Sequence, residues 1–260
     1  MKKEIYEKII GDVESYKDNI YLVCCIGVEF DYDIVSHFIK YYKELGVDKF
    51  LLILNTVDKN SEKLKYVQNI LRKYNIKEEM VWIGDFRDEI KTHNMAQVVS
   101  KNTNLEDWVV TVDVDEFQKY YVDLRKFISY CEKKNYHCVM GNFVDRLTKN
   151  GKIVDINEDT NIWEVFPIET NMNYWNDTIY TKVLLSKAYA EVSKGHHFLV
   201  CDSSSGKYFP SKLEVHHFKW RGSILDKLRC RIEWYKKYGS DRGGADKRTI
   251  RRYRNRGTFQ

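Results

Sequence analysis

The 260-residue chain has little of what makes stalks, cross-linked frameworks or membrane spans. Its only two prolines, Pro167 and Pro210, exclude a proline-rich linker. No run of 18 apolar residues occurs, so no transmembrane helix is expected. The opening MKKEIYEKIIGDVESYKDN has charge but no apolar stretch, so no secretory signal peptide is expected. No GxxxxGK[ST] loop is present, which argues against a P-loop NTPase. The six cysteines (Cys24, Cys25, Cys131, Cys138, Cys201, Cys230) form no CxxC pair. Without an export signal they read as reduced thiols, and the expected location is cytoplasmic. Repeats and low-complexity segments are also missing.

What remains is the composition of a globular α/β protein: 43% hydrophobic, 31% charged and 14% aromatic. The net charge of +5 is misleading as an average. Residues 1–211 carry a net −5 and residues 212–260 a net +10.

Apolar periodicity organises the first half. Ile20–Ile26, Lys49–Leu54, Met80–Ile83, Trp108–Val112 and His137–Phe143 read as strands. Between them, Asp33–Leu45, residues 62–74 capped by Ser61, His93–Lys101 and Val122–Lys134 have helical spacing. This alternation predicts a mostly parallel central sheet flanked by helices. Ligands of such sheets bind beyond the carboxyl ends of the strands. The polar residues there, in Gly27–Asp31, Asn55–Asp58, Gly84–Arg87 and Asp113–Glu116, are therefore the site candidates. Residues 144–211 read as irregular, with short strands expected near 180–186 and 213–219 and a closing helix over Gly222–Tyr238.

The most informative segment is Trp108-Val-Val-Thr-Val-Asp-Val-Asp-Glu-Phe117. In an extended chain Asp113 and Asp115 alternate onto one side. Their repulsion would be relieved by a cation. Hard divalent ions prefer oxygen ligands and complete their shells with phosphates. The pattern therefore points to an Mn²⁺- or Mg²⁺-diphosphate site on Asp113 and Asp115.

This segment resembles the DxD motif of nucleotide-sugar glycosyltransferases with the GT-A fold. The wider order resembles the glycosyltransferase family 2-like group. It includes Gly27-Val28-Glu29, Leu45-Gly-Val-Asp-Lys-Phe50, Asp145-Arg146, Trp163-Glu-Val-Phe-Pro167, Lys182-Val183, Gly195-His-His197 and His216-His-Phe218…Arg221-Gly-Ser223. Val28 stands where the group usually has Asn.

The resemblance implies one GT-A domain over residues 1–240, with a nucleotide-binding half at about 18–143 and a smaller acceptor-side half at about 144–240. Residues 241–260 form a basic tail. It implies a metal-dependent transfer of sugar from a UDP- or GDP-sugar to a glycan or lipid-linked acceptor, with inversion and a carboxylate base. Donor contacts would come from Glu29, Asn55, Asp58, Asp85, Arg87, Asp113, Arg146, Lys182, His197 and Arg221. His217, with His216 next, would join Asp113 and Asp115 on the metal. His196 would be a further contact. Glu164, Asp177 and Asp145 are the base candidates, with Glu164 favoured because its aromatic neighbours could hold a sugar.

Other classes fit parts of the pattern. A metal-dependent nucleotidyltransferase also places carboxylates at strand ends. Nucleic-acid binding would use the basic end, with Tyr253 and Phe259 for stacking, but leaves the DVDEF segment unexplained, and a non-catalytic sugar-binding domain is a further alternative. For that basic end, peripheral contact with the anionic inner face of a membrane is the expectation.

Overall fold

A computed structural model of the chain describes residues 2–171, 181–200, 207–238 and 244–258. The helices are α1 (Lys2–Ile10), α2 (Val28–Asp31), α3 (Val35–Glu44), α4 (Glu62–Lys73), α5 (Asp88–Asn102), α6 (Leu124–Lys133), α7 (Ile162–Val165), α8 (Ile224–Lys237) and α9 (Gly244–Arg256). The strands are β1 (Ile20–Gly27), β2 (Lys49–Thr56), β3 (Met80–Ile83), β4 (Trp108–Thr111), β5 (Glu116–Lys119), β6 (Tyr136–Leu147), β7 (Ile168–Thr170), β8 (Thr181–Lys187), β9 (Lys207–Tyr208) and β10 (Leu213–His217).

The described strands form one sheet, ordered β3-β2-β1-β4-β8-β6-β10-β5, with β7 and β9 also on β6. β1, β2, β3 and β4 pair in parallel, as do β6 and β10, whereas β8, β5 and β7 pair antiparallel. The chain is thus an α/β protein with a mostly parallel central sheet flanked by helices. Period-two alternation explains the two layers. Leu22, Cys24 and Ile26 of β1 join α3 and α4 in one apolar cluster. Val23 and Cys25 face the other way, toward Met95 and Val98 of α5. Asp123 and Ser61 cap α6 and α4, each accepting from the backbone amide three residues on.

The second half is more than an irregular appendage. β8 enters the middle of the sheet between β4 and β6, with Val183, Leu184 and Leu185 fully buried. Gly141 of β6 makes this junction possible. A Cβ there would lie 2.7 Å from Leu184 Cδ1 and 2.9 Å from Val215 Cγ2, on the strands either side. Gly141→Ala is expected to cost about 1–3 kcal/mol, as overpacking does in a filled core. Urea unfolding checks this, and an unchanged midpoint would refute it.

The basic C-terminal segment is also ordered in part. α9 packs on α8, and Ile250 is buried with Leu228 and Ile232. α8 runs from Asp31, just after β1, to Asp85, just after β3. Lys227 Nζ lies 2.7 Å from Asp31, and Lys237 Nζ 3.0 Å from Asp85. The ten-residue step from Lys227 to Lys237 spans about 15 Å at helical rise. That length suffices to cross the carboxyl edge over β1, β2 and β3.

Candidate active site

The strand before the acidic motif ends at Thr111, and the motif itself turns. Glu116 N–H donates to Asp113 O at 3.0 Å, closing a four-residue turn. The extended alternation expected from the sequence is therefore replaced, and the two aspartates separate. Asp113 faces Lys91, Lys182 and His196. Its carboxylate bonds to Lys91, and Lys182 Nζ lies 2.7 Å away. These cations hold Asp113 well below the usual carboxylate range, against the effect of burial. Asp115 instead approaches His217, with 3.6 Å between Oδ2 and Nε2.

After the turn the chain reverses as β5, and strand register assembles the rest. β5 pairs antiparallel with β10, aligning Glu116 with His217. β10 pairs parallel with β6, aligning His217 with Asp145. The result is a buried cross-strand row of Glu116, His217 and Asp145, with Asp115 over its end. One ligand atom each from Asp115, Glu116 and His217 lies within 4.8 Å of the others. The structure thus brings Asp115 and His217 together and places Glu116 beside them, while Asp113 turns away toward Lys91 and Lys182.

Asp145 completes the arrangement. His217 Nδ1 donates to Asp145 Oδ1 at 2.9 Å, and Trp220 Nε1 donates to the same oxygen at 3.0 Å. Phe143 stacks on the imidazole with centroids 4.7 Å apart. A carboxylate on one ring nitrogen fixes the tautomer and aims the other nitrogen, as around metal-bound histidines. Asp145, expected as a base, is thus hydrogen-bonded to His217 on the side away from Asp115.

The electrostatics fit a cation. Burial opposes charge on His217, but Asp115 and Asp145 outweigh it and push its pKa up to about 9. Burial pushes Glu116 up to about 7, although Lys182 Nζ lies 2.9 Å away. Without a cation, His217 must hold a proton to balance its carboxylates. Two carboxylate oxygens and an imidazole suit a divalent ion such as Mn²⁺.

The other sequence candidates are placed differently. Lys182 is buried against Asp113 and Glu116, so it serves the carboxylates directly. Arg146 Nε donates to Phe166 O at 2.9 Å, and its guanidinium lies 5.3 Å from the Trp163 ring. Arg221 Nη2 bonds Asp31, Nε bonds Asp33 and Nη1 bonds Phe218 O, so its donors are engaged within the fold. Asn55 donates to Trp82 O and Gly84 O, latching β2 to the end of β3. Glu29 accepts from Thr56 Oγ1 at 2.8 Å, and Asp58 accepts from the Asn60 amide. Asp85 meets Lys237 and Tyr238, and Arg87 lies over the Tyr238 ring. His197 Nδ1 donates to Thr181 O at 2.8 Å.

His216 faces the opposite side of the sheet from His217 and meets Trp163 edge-on at 5.3 Å. Trp163 belongs to α7, so Glu164 lies on that opposite side too. It is exposed and accepts from Asn161 Nδ2. Asp177 lies outside the described residues.

In the sequence Glu116 is a site candidate only as part of the Asp113–Glu116 stretch, with no task of its own, and Lys91 is not a candidate. Glu116 is hidden by the turn, and Lys91 lies on the buried side of α5, where a helical pattern calls for an apolar residue. His196 is fully buried, and neither ring nitrogen has a hydrogen-bond partner. Burial holds it well below the usual histidine range.

These histidines set a pH dependence. Burial and Arg146 push His216 down from 6.5 to about 4, so its stabilisation is present above pH 6.5 and lost as pH falls toward 4. His217 runs the other way: its contribution is present below pH 6.5 and lost as pH rises toward 9. Glu116, raised to about 7, adds a loss between pH 4.5 and 7 that offsets the gain from His216. Metal-free protein is therefore expected to lose stability mainly on the alkaline side, on the order of 2 kcal/mol between pH 6.5 and 9. Thermal midpoints from pH 4 to 9 check this, and a steady rise to pH 9 would contradict it.

No protein-family model and no curated protein sequence matches the chain. Solved structures similar to it include the mannosyltransferase PcManGT from Pyrobaculum calidifontis in complex with GDP-Man and Mn²⁺. That match has 7% identity over 89% of this chain and 67% of the other, at a TM-score of 0.44. S. aureus TarS 1–349 matches at 8% identity over 83% of this chain and 64% of that one, with a TM-score of 0.38. Mannose-6-phosphate isomerase from Helicobacter pylori matches at 10% identity over 66% and 72%, with a TM-score of 0.36. Such distant likeness assigns no activity, and the functional reading rests on the site.

Proposed function

We propose that the chain is a GT-A-type glycosyltransferase that moves a sugar from a nucleoside-diphosphate donor to a glycan or lipid-linked acceptor. The observation that carries this reading is the Asp115, Glu116 and His217 group, buried beyond the carboxyl end of β4 and oriented by Asp145. Asp115, Glu116 and His217 would hold Mn²⁺ or Mg²⁺. A cation bound there would offset the negative charge gathering on the departing diphosphate.

The protein's own groups have separate tasks. Lys182 neutralises Asp113 and Glu116 and keeps both carboxylates compatible with burial. Asp145 and Phe143 fix the His217 ring so that Nε2 faces Asp115. Phe218 N–H donates to Asp115 O at 2.8 Å, pinning the acidic turn to the end of β10. Such fixed placement lowers the reorganisation needed when charge develops.

The test is release of UDP or GDP from a panel of sugar nucleotides, with Mn²⁺, with Mg²⁺ and with chelator. Metal-dependent release from at least one donor is expected. No release from any donor, together with pyrophosphate release from a nucleoside triphosphate, would replace this reading with nucleotidyl transfer.

A further inference from the structure

We propose that the cleft between α8 and α9 binds the phosphate headgroups of an anionic lipid bilayer and docks the protein on it. This cleft has a volume of about 430 Å³ and is lined by Arg229, Ile232, Lys247, Ile250, Arg251 and Arg254. Its lining holds four cations over an apolar floor and no carboxylate. The inference does not depend on the activity proposed above.

The cations are fixed by folding. Ile250 is buried with Ile232, Leu228 and Ile224, so α9 is anchored on α8. Lys247, Arg251 and Arg254 stand at i, i+4 and i+7, hence on one stripe of α9. All three are exposed. Among the described residues they make no ion pair. Arg229 pairs with Asp226, and the nearby Arg231 is taken by Asp246. Like charges gathered without counter-charges repel, and an anionic ligand relieves that repulsion.

The chemistry favours lipid over nucleic acid. No aromatic ring lines the cleft, so base stacking is not offered. Tyr253, the aromatic residue within the described part of α9, accepts from the Ile153 amide through its hydroxyl. The Ile232 and Ile250 floor suits the apolar part of a phospholipid beneath its phosphate. A basic cluster on a helical surface is the pattern that binds anionic leaflets. The body of the protein, net negative over residues 1–211, would be repelled by the same surface, which orients the docking.

Co-sedimentation of the full chain with vesicles tests this at physiological salt. Binding is expected to vesicles containing phosphatidylglycerol and not to phosphatidylcholine alone. Each cation near an anionic surface is worth about a fivefold change in partitioning, so K247Q/R251Q/R254Q is expected to weaken binding about a hundredfold. K40Q/K77Q/K101Q removes the same charge from exposed sites elsewhere and is expected to bind nearly as the parent does. Circular dichroism verifies that both variants fold. Equal loss in the two triple variants would overturn the cleft. Failure of the parent to bind phosphatidylglycerol vesicles would overturn the membrane partner, as would tighter binding to a single-stranded oligonucleotide.

Discussion

Asp115→Ala is expected to abolish divalent-cation binding and to lower donor turnover on the order of 10³-fold, the scale of losing a group that stabilises developing charge. The fold should survive. Asp115 contributes its backbone carbonyl to Phe218, and that bond does not need the side chain. His217 keeps Asp145 at 2.9 Å as a partner for its charge. The mutation therefore separates metal binding from stability, which a Lys182 variant would not, because it takes the paired cation from both Asp113 and the buried Glu116. Calorimetric titration with Mn²⁺ and nucleotide release are the two measurements. Unaltered Mn²⁺ affinity would remove Asp115 from the metal group. Asp145→Asn gives a graded companion: it alters the group that aims His217 and is expected to weaken metal affinity about 10–100-fold. If Asp145→Asn binds metal normally but loses all turnover, Asp145 is a base after all.

The contrast between Asp113 and Asp115 shows what a linear sequence conveys here. Apolar runs with period-two and period-3.6 spacing located the central strands and helices, because burial on a sheet face or helix stripe constrains every turn of the element. The same logic failed within the motif, where a hydrogen-bonded turn replaces the strand after Thr111. Glu116 was visible as a residue, but its partnership with His217 depends on the register between β5 and β10, which are about a hundred residues apart in the chain. Asp145 was singled out as a base candidate with no sign of its contact with His217, for a similar reason. That contact follows from its parallel register opposite His217, and a sequence records residue types without cross-strand neighbours. The central position of β8 was equally hidden, since the short run 180–186 carries no mark of where in the sheet it pairs.

Arg221→Met is expected to destabilise the protein by about 3–5 kcal/mol, the range for removing one partner of a buried ion pair. Arg221 resembles an anion contact in sequence, but its guanidinium is buried and bonded to Asp31 at 3.0 Å and Asp33 at 3.1 Å. Loss of the cation falls unevenly on the two carboxylates. Asp31 retains Lys227, with bonds of 2.9 and 2.7 Å. Asp33 is already pushed above the ordinary aspartate range by burial, and Arg221 is the cation that opposes this shift. Without it, Asp33 must take up a proton or draw in water. Asp33→Asn in the Arg221→Met background is therefore expected to recover about 1 kcal/mol or more, a coupling between contacting residues. The network also secures the turn that starts α8, where Ser223 Oγ donates to Phe30 O and Gly222 N–H to Val154 O. Urea unfolding of the two single variants and the double variant measures the cycle. A cost below about 1 kcal/mol for Arg221→Met, with donor affinity lost, would return Arg221 to the donor site. A large cost, with Mn²⁺ affinity retained in the folded fraction, would establish it as the clasp between the segment after β1 and the helix that closes the domain.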